Sequence, residues 1–489
     1  MTGYQLRTSP YATIPGTNRP TGLPMATAKV VLVSGAAALF LFALTRIWNL
    51  EEPSQWSTFA CLSFVTAVGF CFILLARSFE LIRNTTAWTL AFLAKLFLTV
   101  LLVQYSWMLP LGNHQRSATN ADQLSYDLYG KELADAGLSG NVIENVERGD
   151  TQAMFWYVGA IYYAFGVSTL YVGLINCLWP LVTFISLAGI LRRFDHRADW
   201  QALRWGLFFP EICFYDATPG KDSVTMGATY LALFCLLMLI TRKTAKIWFG
   251  ILFGANMAVL GWFRPDMTVV VLAILALYGF LDHRIGKRKA IALAAGIVIV
   301  GLFATPIGQE SMEAKIRLAQ DTLINNESAD PARRGVLSSL TPSGPMDMAL
   351  KTPVRCLAFL YGPYPRLLPD TVRLREIGSD PSVGIQEVYQ KLTALAILIA
   401  TPWIVAAMVL KSANRKSLSC FLAAMVSVLL LAGTCATLLI HLRYRTQIDP
   451  ALYAAALVGH KYCERPRYAP VWYVGCTVAS ITYYLWVIM

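Results

Sequence analysis

Apolar segments long enough to cross a lipid bilayer recur along almost the whole of this chain of 489 residues. A transmembrane α-helix needs about 20 mainly apolar residues, and thirteen segments approach that length. Charged residues make up only 14% of the sequence, whereas a soluble protein uses about a quarter of its residues for charge. The pattern excludes a water-soluble enzyme and predicts an all-α, polytopic integral membrane helix bundle with about 13 transmembrane helices. The predicted spans are 26–48, 56–76, 86–109, 169–191, 199–217, 222–241, 247–263, 267–281, 289–306, 391–410, 417–440, 446–460 and 470–489.

The basic residues between these spans predict the orientation. Clusters such as Arg242, Lys243 and Lys246 stand between apolar segments, where the positive-inside rule expects cytoplasmic loops. The two long loops on the opposite side, 110–152 and 307–390, together hold 12 basic and 17 acidic residues. We therefore predict a protein of the cytoplasmic (inner) membrane with a cytoplasmic N-terminus. The net charge of +12 is explained by this topology, so no nucleic-acid partner is expected.

Three further segments complete the predicted organisation of a single membrane domain, 26–489. Residues 1–25 are polar and rich in Pro, Thr and Gly, which predicts a disordered cytoplasmic tail. The first large outer loop, 110–168, ends in the apolar stretch 153–165, which would reverse the side of every later basic cluster if it crossed the membrane. We predict instead a helix in the membrane interface. The second large outer loop, 307–390, contains helical patterns and predicts a folded extracytoplasmic region.

Asp122 begins a predicted helix in the first outer loop, within the segment DQLSYDLYGKELADAG. A carboxylate at a helix start commonly caps the helix. Alternatively, Asp122 is a general base that takes a proton from an acceptor hydroxyl at the membrane surface. Tyr126 and Asp127 lie one turn further along the same helix and belong to the same candidate site.

A second polar group lies in the segment FFPEICFYDATPGKDSVT, where a turn joins two predicted spans. Asp222 there is an ordinary helix cap, but Lys221 adds positive charge to the positive end of a helix dipole, which an adjacent anion would offset. Glu211 and Asp216 precede the turn and are costly at membrane depth unless they have partners. Lys95, near the centre of the third span, must likewise pair or face a cavity.

Two more groups lie on the same predicted face. Arg264 and Asp266, in GWFRPDM, either pair with each other or support the site. His441, Arg443 and Arg445, in HLRYRTQIDP, stand on the outer side, where the positive-inside rule disfavours basic residues. Because a guanidinium binds phosphate oxygens bidentately, a lipid phosphate or diphosphate is one expected partner, and a salt bridge to the acidic loops is the alternative.

Five sequence pieces, in this order, resemble motifs of the GT-C superfamily of polytopic glycosyltransferases, in particular the protein mannosyltransferases and RgtA/B/C/D-like enzymes. The pieces are Asp122-x3-Tyr126 followed by ELADAG, GDTQAMFWYVGAIYYAFG, FFPEICFYDATPGKDS, AFLYGPYPRLLP and RYRTQIDPALYAAALVG. The resemblance covers about residues 86–460, and each motif is short. It departs from the family pattern in two places: two spans precede the one that should be first, and 307–390 is not a recognisable soluble domain.

The resemblance implies a GT-C fold and the transfer of a sugar from a polyprenyl-phosphate donor to a hydroxyl of a glycan or lipid acceptor, in cell-envelope or surface-polysaccharide synthesis. It implies an active site on the extracytoplasmic face, with Asp122 as catalytic base. No ligand spacing indicates a metal, and a divalent metal at the outer carboxylates stays open. The full candidate site comprises Asp122 and Asp127 as catalytic residues, Lys221, His441, Arg443 and Arg445 as phosphate ligands, and Tyr126, Asp222, Arg264 and Asp266 in support.

Two other functions stay open. A polysaccharide repeat-unit polymerase of the Wzy type would also use outer arginines and a large outer loop, on a diphosphate-linked donor. A lipid or glycan transporter or flippase should show paired charges at mid-membrane and inverted repeats. The sequence offers only Lys95 for the first feature and no visible repeat for the second.

Overall fold

The computed structural model describes residues 35–36, 39, 43, 55–108, 121–140, 149–196, 198–241, 246–282, 345–362, 381–410, 415–435, 442–463 and 466–488. These parts of the chain form helices and no strand, which confirms the all-α prediction for them. Several predicted features lie outside the described residues. They are the tail 1–25, all but four residues of the span 26–48, the span 289–306 and most of the loop 307–390.

The helices between residues 55 and 194 are α1 (Gln55–Ser78), α2 (Thr85–Met108), α3 (Ala121–Asp135), α4 (Gly149–Phe165), α5 (Thr169–Asn176) and α6 (Leu178–Phe194). A 3-10 helix, η1 (Gln201–Phe208), leads into α7 (Pro210–Asp216), followed by α8 (Lys221–Thr241), α9 (Lys246–Phe263) and α10 (Pro265–Leu281). The remaining elements are α11 (Pro345–Tyr361), α12 (Pro381–Met408), α13 (Lys416–Cys435), the 3-10 helix η2 (Leu442–Gln447), α14 (Asp449–Tyr462) and α15 (Ala469–Ile488).

Seven helical segments in the described residues are long and apolar enough to cross a membrane, and they indicate a membrane protein. They are Trp56–Ser78, Thr85–Val103, Thr169–Phe194, Lys221–Ile240, Lys246–Phe263, Tyr389–Met408 and Lys416–Thr434. Two shorter apolar helices, Pro265–Leu281 and Ala469–Ala479, match further predicted spans. The total of about 13 spans stays a prediction.

The predicted span 199–217 is broken rather than a continuous helix. It consists of the 3-10 helix η1 followed by the short α7, and Pro210 stands in the first turn of α7. Proline lacks a backbone N–H and clashes with the preceding turn, so it starts a helix readily and interrupts one already running. The predicted span 446–460 corresponds for the most part to the continuous helix α14, which follows the 3-10 helix η2.

The broken segment 201–216 crosses back along α6. Trp179 lies against Gly227 and Phe234 lies against Gly189, so α6 and α8 run parallel. The chain must therefore return to the first end of α6 before α8 begins, and contacts of Gly206 with Phe184 trace this return. The second half of the return segment, residues 211–216, is buried among other helices, where irregular backbone is tolerated in a membrane protein.

The bundle thus has two distinct ends. The end that holds Asp216 and the start of α8 is called the Asp216 end below. The end that holds the α1–α2 turn and the last turn of α6, with Arg83 and Arg192, is called the Arg192 end. Basic side chains collect at the Arg192 end, where Arg83 donates to the carbonyl of His196 at 3.4 Å.

Helices α3 and α4 form an antiparallel pair. They approach closely because Gly130 and Gly159 lie at the crossing, where an added Cβ on Gly130 would meet Val158 at 2.5 Å. The predicted helices in the first outer loop are thus present. Within the described part of the second loop, α11 is amphipathic: Met346, Leu350, Val354 and Leu357 form an exposed apolar face, while Arg355 and Phe359 are buried against α13.

Candidate functional site

Asp216 and Lys95 form a buried ion pair where the return segment meets α8. Lys95 Nζ lies 2.9 Å from Asp216 Oδ2, and both side chains are almost fully buried. Ser223, in the first turn of α8, donates its hydroxyl to the other oxygen of the Asp216 carboxylate. Lys95 was expected either to pair with an acid or to face a cavity, and the structure shows that it pairs with Asp216.

Asn176 fixes the backbone of the turn between α7 and α8. Its Nδ2 donates to the carbonyl oxygens of Asp216 at 3.3 Å and Thr218 at 3.0 Å. Tyr157 of α4 donates to Asn176 Oδ1 at 2.9 Å, and the indole N–H of Trp179 donates to Tyr157 at 3.3 Å. The turn is therefore connected to α4, which packs on the helix that carries Asp122 and Asp127.

Arg445 lies in a second buried cluster, with Glu211 of α7. Its Nε and Nη2 donate to the two oxygens of Glu211 at 3.0 and 2.9 Å, which is a bidentate pair. Nη1 donates to the carbonyls of Leu360 and Gly362, and Nη2 donates also to that of Gln390 at 2.8 Å. A guanidinium has five N–H donors, so all five are used by protein acceptors. This geometry favours the salt-bridge alternative for Arg445, and its direct contact with a phosphate stays a prediction.

Asp449 adds a second carboxyl group to this cluster. Its side chain is fully buried, and neither oxygen accepts a hydrogen bond from a donor in the described residues. Glu211 and Asp449 are close enough to couple electrostatically. Two carboxyl groups therefore lie close to the one guanidinium of Arg445.

Asp222 is the carboxylate recorded beside Arg264, whose Nη2 lies 3.4 Å from Asp222 Oδ1, with both side chains buried. Asp266, the partner suggested by the sequence, is exposed in the first turn of α10. Lys221 is buried at the start of α8 next to Asp222. Gln447 joins this group to η2, because its Nε2 donates to the carbonyl of Asp222 at 2.9 Å.

Asp127 is half-buried on α3 and accepts a hydrogen bond from the hydroxyl of Tyr162 on α4. Burial raises the pKa of the Asp127 carboxyl above its usual range, while the Tyr162 hydrogen bond and the charge of Lys131 act in the opposite direction. Tyr162 lies five residues from Tyr157, or about 7.5 Å along the axis of α4. Tyr126, on the preceding position of α3, packs its buried ring on Phe155.

The remaining predicted site residues are described only in part. Asp122 is the second residue of α3, so it stands at the helix start as expected, but its side chain lies outside the described residues. Arg443 lies in η2, and its side chain is outside the described residues too. His441 lies outside them altogether.

Buried cations outnumber buried carboxylates in the described part of this end. Six cationic side chains are buried there, on the segments that hold or contact the two clusters: Lys95, Lys221, Arg264, Arg355, Lys391 and Arg445. Four carboxylates accompany them: Glu211, Asp216, Asp222 and Asp449. The excess of two cations is a favourable electrostatic setting for an anion.

Four of the buried polar residues were not predicted from the sequence to belong to the site: Asn176, Arg355, Lys391 and Asp449. Arg355 lies in the predicted second outer loop and Lys391 at its boundary, and nothing local distinguishes either from the other basic residues of that loop. The amphipathic spacing in 345–361 was the available signal, since it gives α11 a face that must pack on the bundle. No comparable signal marks Asn176, whose partners are 40 and 42 residues away in the chain.

No three His, Cys, Asp or Glu side chains are grouped like metal ligands in the described part of the chain. Comparison with known protein families, with curated proteins and with solved structures finds no match to this chain. The resemblance to GT-C enzymes therefore stays an expectation based on short motifs.

Proposed function

We propose that this chain is a membrane glycosyltransferase of the GT-C type, which moves a sugar from a polyprenyl-phosphate donor to an acceptor hydroxyl at the outer face of the cytoplasmic membrane. The acceptor is a glycan or lipid of the cell envelope or surface polysaccharide. The observation that carries the proposal is the excess of buried cations over buried carboxylates among the described residues of the Asp216 end. A phosphate group is the anion that a membrane supplies at this depth.

The charge change during the reaction suits this excess. A sugar-phosphate diester carries one negative charge, and the lipid phosphate that leaves carries up to two. Cations held in place before the reaction stabilise the charge that develops as the bond breaks, which is often the largest single contribution to catalysis. Arg445, whose donors are all occupied, would act through its field, whereas Lys221 and Arg443 are the proposed direct phosphate ligands.

The acceptor side of the reaction is assigned to α3. Asp122, with Asp127 beside it, takes the proton of the acceptor hydroxyl as the hydroxyl oxygen attacks the anomeric carbon. The bond between that carbon and the phosphate oxygen breaks, and its electron pair stays on the phosphate. The sugar is thereby inverted at the anomeric carbon.

The distribution of charge between the two ends supports the proposed orientation. Arg77, Arg83, Arg192, Arg193 and Arg204 lie at or near the Arg192 end, which suits the cytoplasmic side under the positive-inside rule. The acidic helix α3 belongs to the opposite side. This arrangement supports an N-terminus in the cytoplasm and a reaction site outside it.

The test uses the full chain in lipid nanodiscs with a panel of undecaprenyl-phosphate sugars carrying radiolabelled hexoses or pentoses, and a membrane glycolipid extract as acceptor. We expect label to move to the acceptor or, more slowly, to water. Asp122→Asn should lower this transfer by about 100-fold or more, because a positioned acid–base group contributes at least that factor. Asp127→Asn is measured separately, and Asp135→Asn, an exposed carboxylate at the end of the same helix, is the matched control.

Three results would contradict the proposal. Normal turnover in both Asp122→Asn and Asp127→Asn would remove the base from α3. Consumption only of diphosphate-linked oligosaccharides would indicate a Wzy-type polymerase. Movement of an intact labelled lipid across the bilayer, with no new glycosidic bond, would indicate a transporter or flippase.

A further inference from the structure

A cleft at the Arg192 end is lined by N–H donors that have no acceptor in the described part of the protein. It lies between the α1–α2 turn, the end of α6 and the start of η1 and is open to the surface, with about 240 Å³ of space when the part open to solvent is included. Its lining includes Arg83, Trp88, Arg192 and Trp200. None of these residues belongs to the site proposed for sugar transfer.

Three of the donors are buried and unsatisfied. The indole Nε1 of Trp88, the indole Nε1 of Trp200 and Nη1 of Arg192 each lack a hydrogen-bond partner. Trp88 is 0% exposed and Trp200 5% exposed. Buried N–H groups in native proteins are nearly always paired, because leaving one unpaired costs the full desolvation of that group. The three donors together therefore point to an acceptor that binds in the cleft.

The charge of the cleft indicates that this acceptor is an anion. Arg83 and Arg192 both line it, and Arg77 is close by on α1. The carboxylates that act on Arg192 are Glu80 and Asp199. A third, Asp195, accepts hydrogen bonds from the backbone N–H of Ala198 and from the hydroxyl of Tyr462. Asp199 is exposed at the rim and accepts the backbone N–H of Gln201 at 3.1 Å, which caps η1. Cations and indole N–H groups thus line the cleft, and Glu80 and Asp199 are both exposed.

The surroundings of the cleft favour a lipid headgroup as the source of this anion. Leu81 and Ile82 form an apolar wall of the cleft. Leu75, Phe79 and Trp205 are exposed around it, as expected of residues that contact acyl chains or the interface. Basic pockets between transmembrane helices on the cytoplasmic side are known to bind anionic lipid headgroups.

We propose that this cleft binds the phosphate group of an anionic phospholipid in the cytoplasmic leaflet. Arg192 and Arg83 neutralise the phosphate charge, and the indole N–H groups of Trp88 and Trp200 donate to its oxygens. The acyl chains lie against the exposed apolar side chains of α1 and η1. The bound lipid would join the α1–α2 turn to α6 and η1.

The test measures the binding of phosphatidylglycerol to the full chain after removal of endogenous lipid, by native mass spectrometry, with phosphatidylcholine as the neutral comparison. Arg192→Gln should weaken phosphatidylglycerol binding by about tenfold or more, because a hydrogen bond to a charged group is lost together with the charge. Trp88→Phe and Trp200→Phe keep an aromatic ring and remove only the donor, so each should weaken binding severalfold. Arg193→Gln is the matched control for the arginine, and Trp262→Phe, an exposed tryptophan at the last turn of α9 near the Asp216 end, is the control for the indoles. Both should bind phosphatidylglycerol as the natural chain does.

Each alternative result is decisive. Equal retention of both lipids, or unchanged binding in all of the Arg192→Gln, Trp88→Phe and Trp200→Phe variants, would overturn the proposal. Displacement of the lipid signal by millimolar inorganic phosphate, with phosphate itself bound, would assign the cleft to a free phosphate and overturn the lipid assignment. If Arg192→Gln fails to fold, Arg192→Lys with Trp200→Phe provides the same comparison, with folding checked by size-exclusion chromatography.

Discussion

Arg445 and Arg192 stand at opposite ends of the helix bundle and in opposite surroundings. Arg445 directs its five N–H donors to Glu211 and to three backbone carbonyls, all within the protein. Arg192 lines an open cleft and has a buried Nη1 with no acceptor in the described part of the chain. The first guanidinium is closed to outside ligands as it stands, and the second is open.

The comparison shows that the position of an arginine in the sequence does not reveal whether its N–H donors are already bonded within the protein. Arg445 was selected from the sequence because it is predicted to lie on the outer side, where basic residues are disfavoured and need a specific cause. Its cause in the structure is a buried carboxylate. Arg192 looked ordinary because it belongs to a basic cluster that is predicted to be cytoplasmic. A topology signal can thus conceal a binding group, and an unusual placement can have a structural explanation.

The largest expected effect is the loss of stability on replacing Arg445. Arg445→Gln should destabilise the protein by about 3–5 kcal/mol, because it leaves Glu211 as a buried carboxylate without its cation. The measurement is the fraction of folded protein in detergent after heating, followed by size-exclusion chromatography. Arg192→Gln is the control and should melt close to the natural chain in the absence of lipid. The double variant Glu211→Gln with Arg445→Gln should recover part of the lost stability. Equal melting temperatures for Arg445→Gln and Arg192→Gln would contradict the proposed difference between the two arginines.

A smaller effect is expected for the Lys95–Asp216 pair. Lys95→Met leaves Asp216 buried, but Ser223 still donates a hydrogen bond to its carboxylate. The loss of stability should therefore be smaller than for Glu211 without Arg445. The expected result is a drop in melting temperature that addition of Asp216→Asn partly reverses. Because the pair is buried, the melting temperature of the natural chain should depend little on salt from this source. A double variant as unstable as the sum of both single variants would show that the two groups are not coupled.

The smallest expected effect is the contribution of Asp127 to the pH dependence of stability. The Asp127 side chain is partly exposed to solvent, whereas that of Glu211 is fully buried. Burial raises the pKa of Asp127 in the folded protein, so the folded state holds its proton to higher pH than the unfolded chain does. Its contribution to stability therefore declines as pH rises from the ordinary pKa of an Asp through the raised folded value. Asp127→Asn should flatten this part of the melting-temperature profile, while Asp135→Asn should not. A profile that is identical in the natural chain and Asp127→Asn would refute the assignment.

The helical class and most helix positions could be predicted from the sequence because apolar length is a local property. Helices α1, α2, α8, α9 and α13 begin and end within a few residues of the predicted spans. The break at Pro210 was missed because composition does not register a change from a 3-10 to an α-helix. The partners of Lys95 and Arg445 were missed for another reason. They lie 121 and 234 residues away, and nothing local to either residue selects among several distant carboxylates.

The site could be predicted only as a set of residue types on one side of a membrane. Lys221, Asp222, Arg264 and Arg445 do lie on connected segments of one end. Their pairing differs from the expected one, because Arg264 faces Asp222 and Arg445 faces Glu211. Pairing depends on how helices pack, and the close approach of α6 to α8 at Gly227 and Gly189 is a tertiary feature.

The distance along the chain between Glu211 and Arg445 has a consequence for biosynthesis. The two residues are 234 positions apart, and ribosomes add about 5–20 residues per second. A nascent chain thus carries the Glu211 carboxylate for on the order of ten to fifty seconds before its guanidinium is made. Until then the Glu211 carboxyl must be protonated, hydrated or bound by an insertase. Ribosome-stalled chains that end before residue 442 should therefore be more readily degraded by membrane proteases than longer chains.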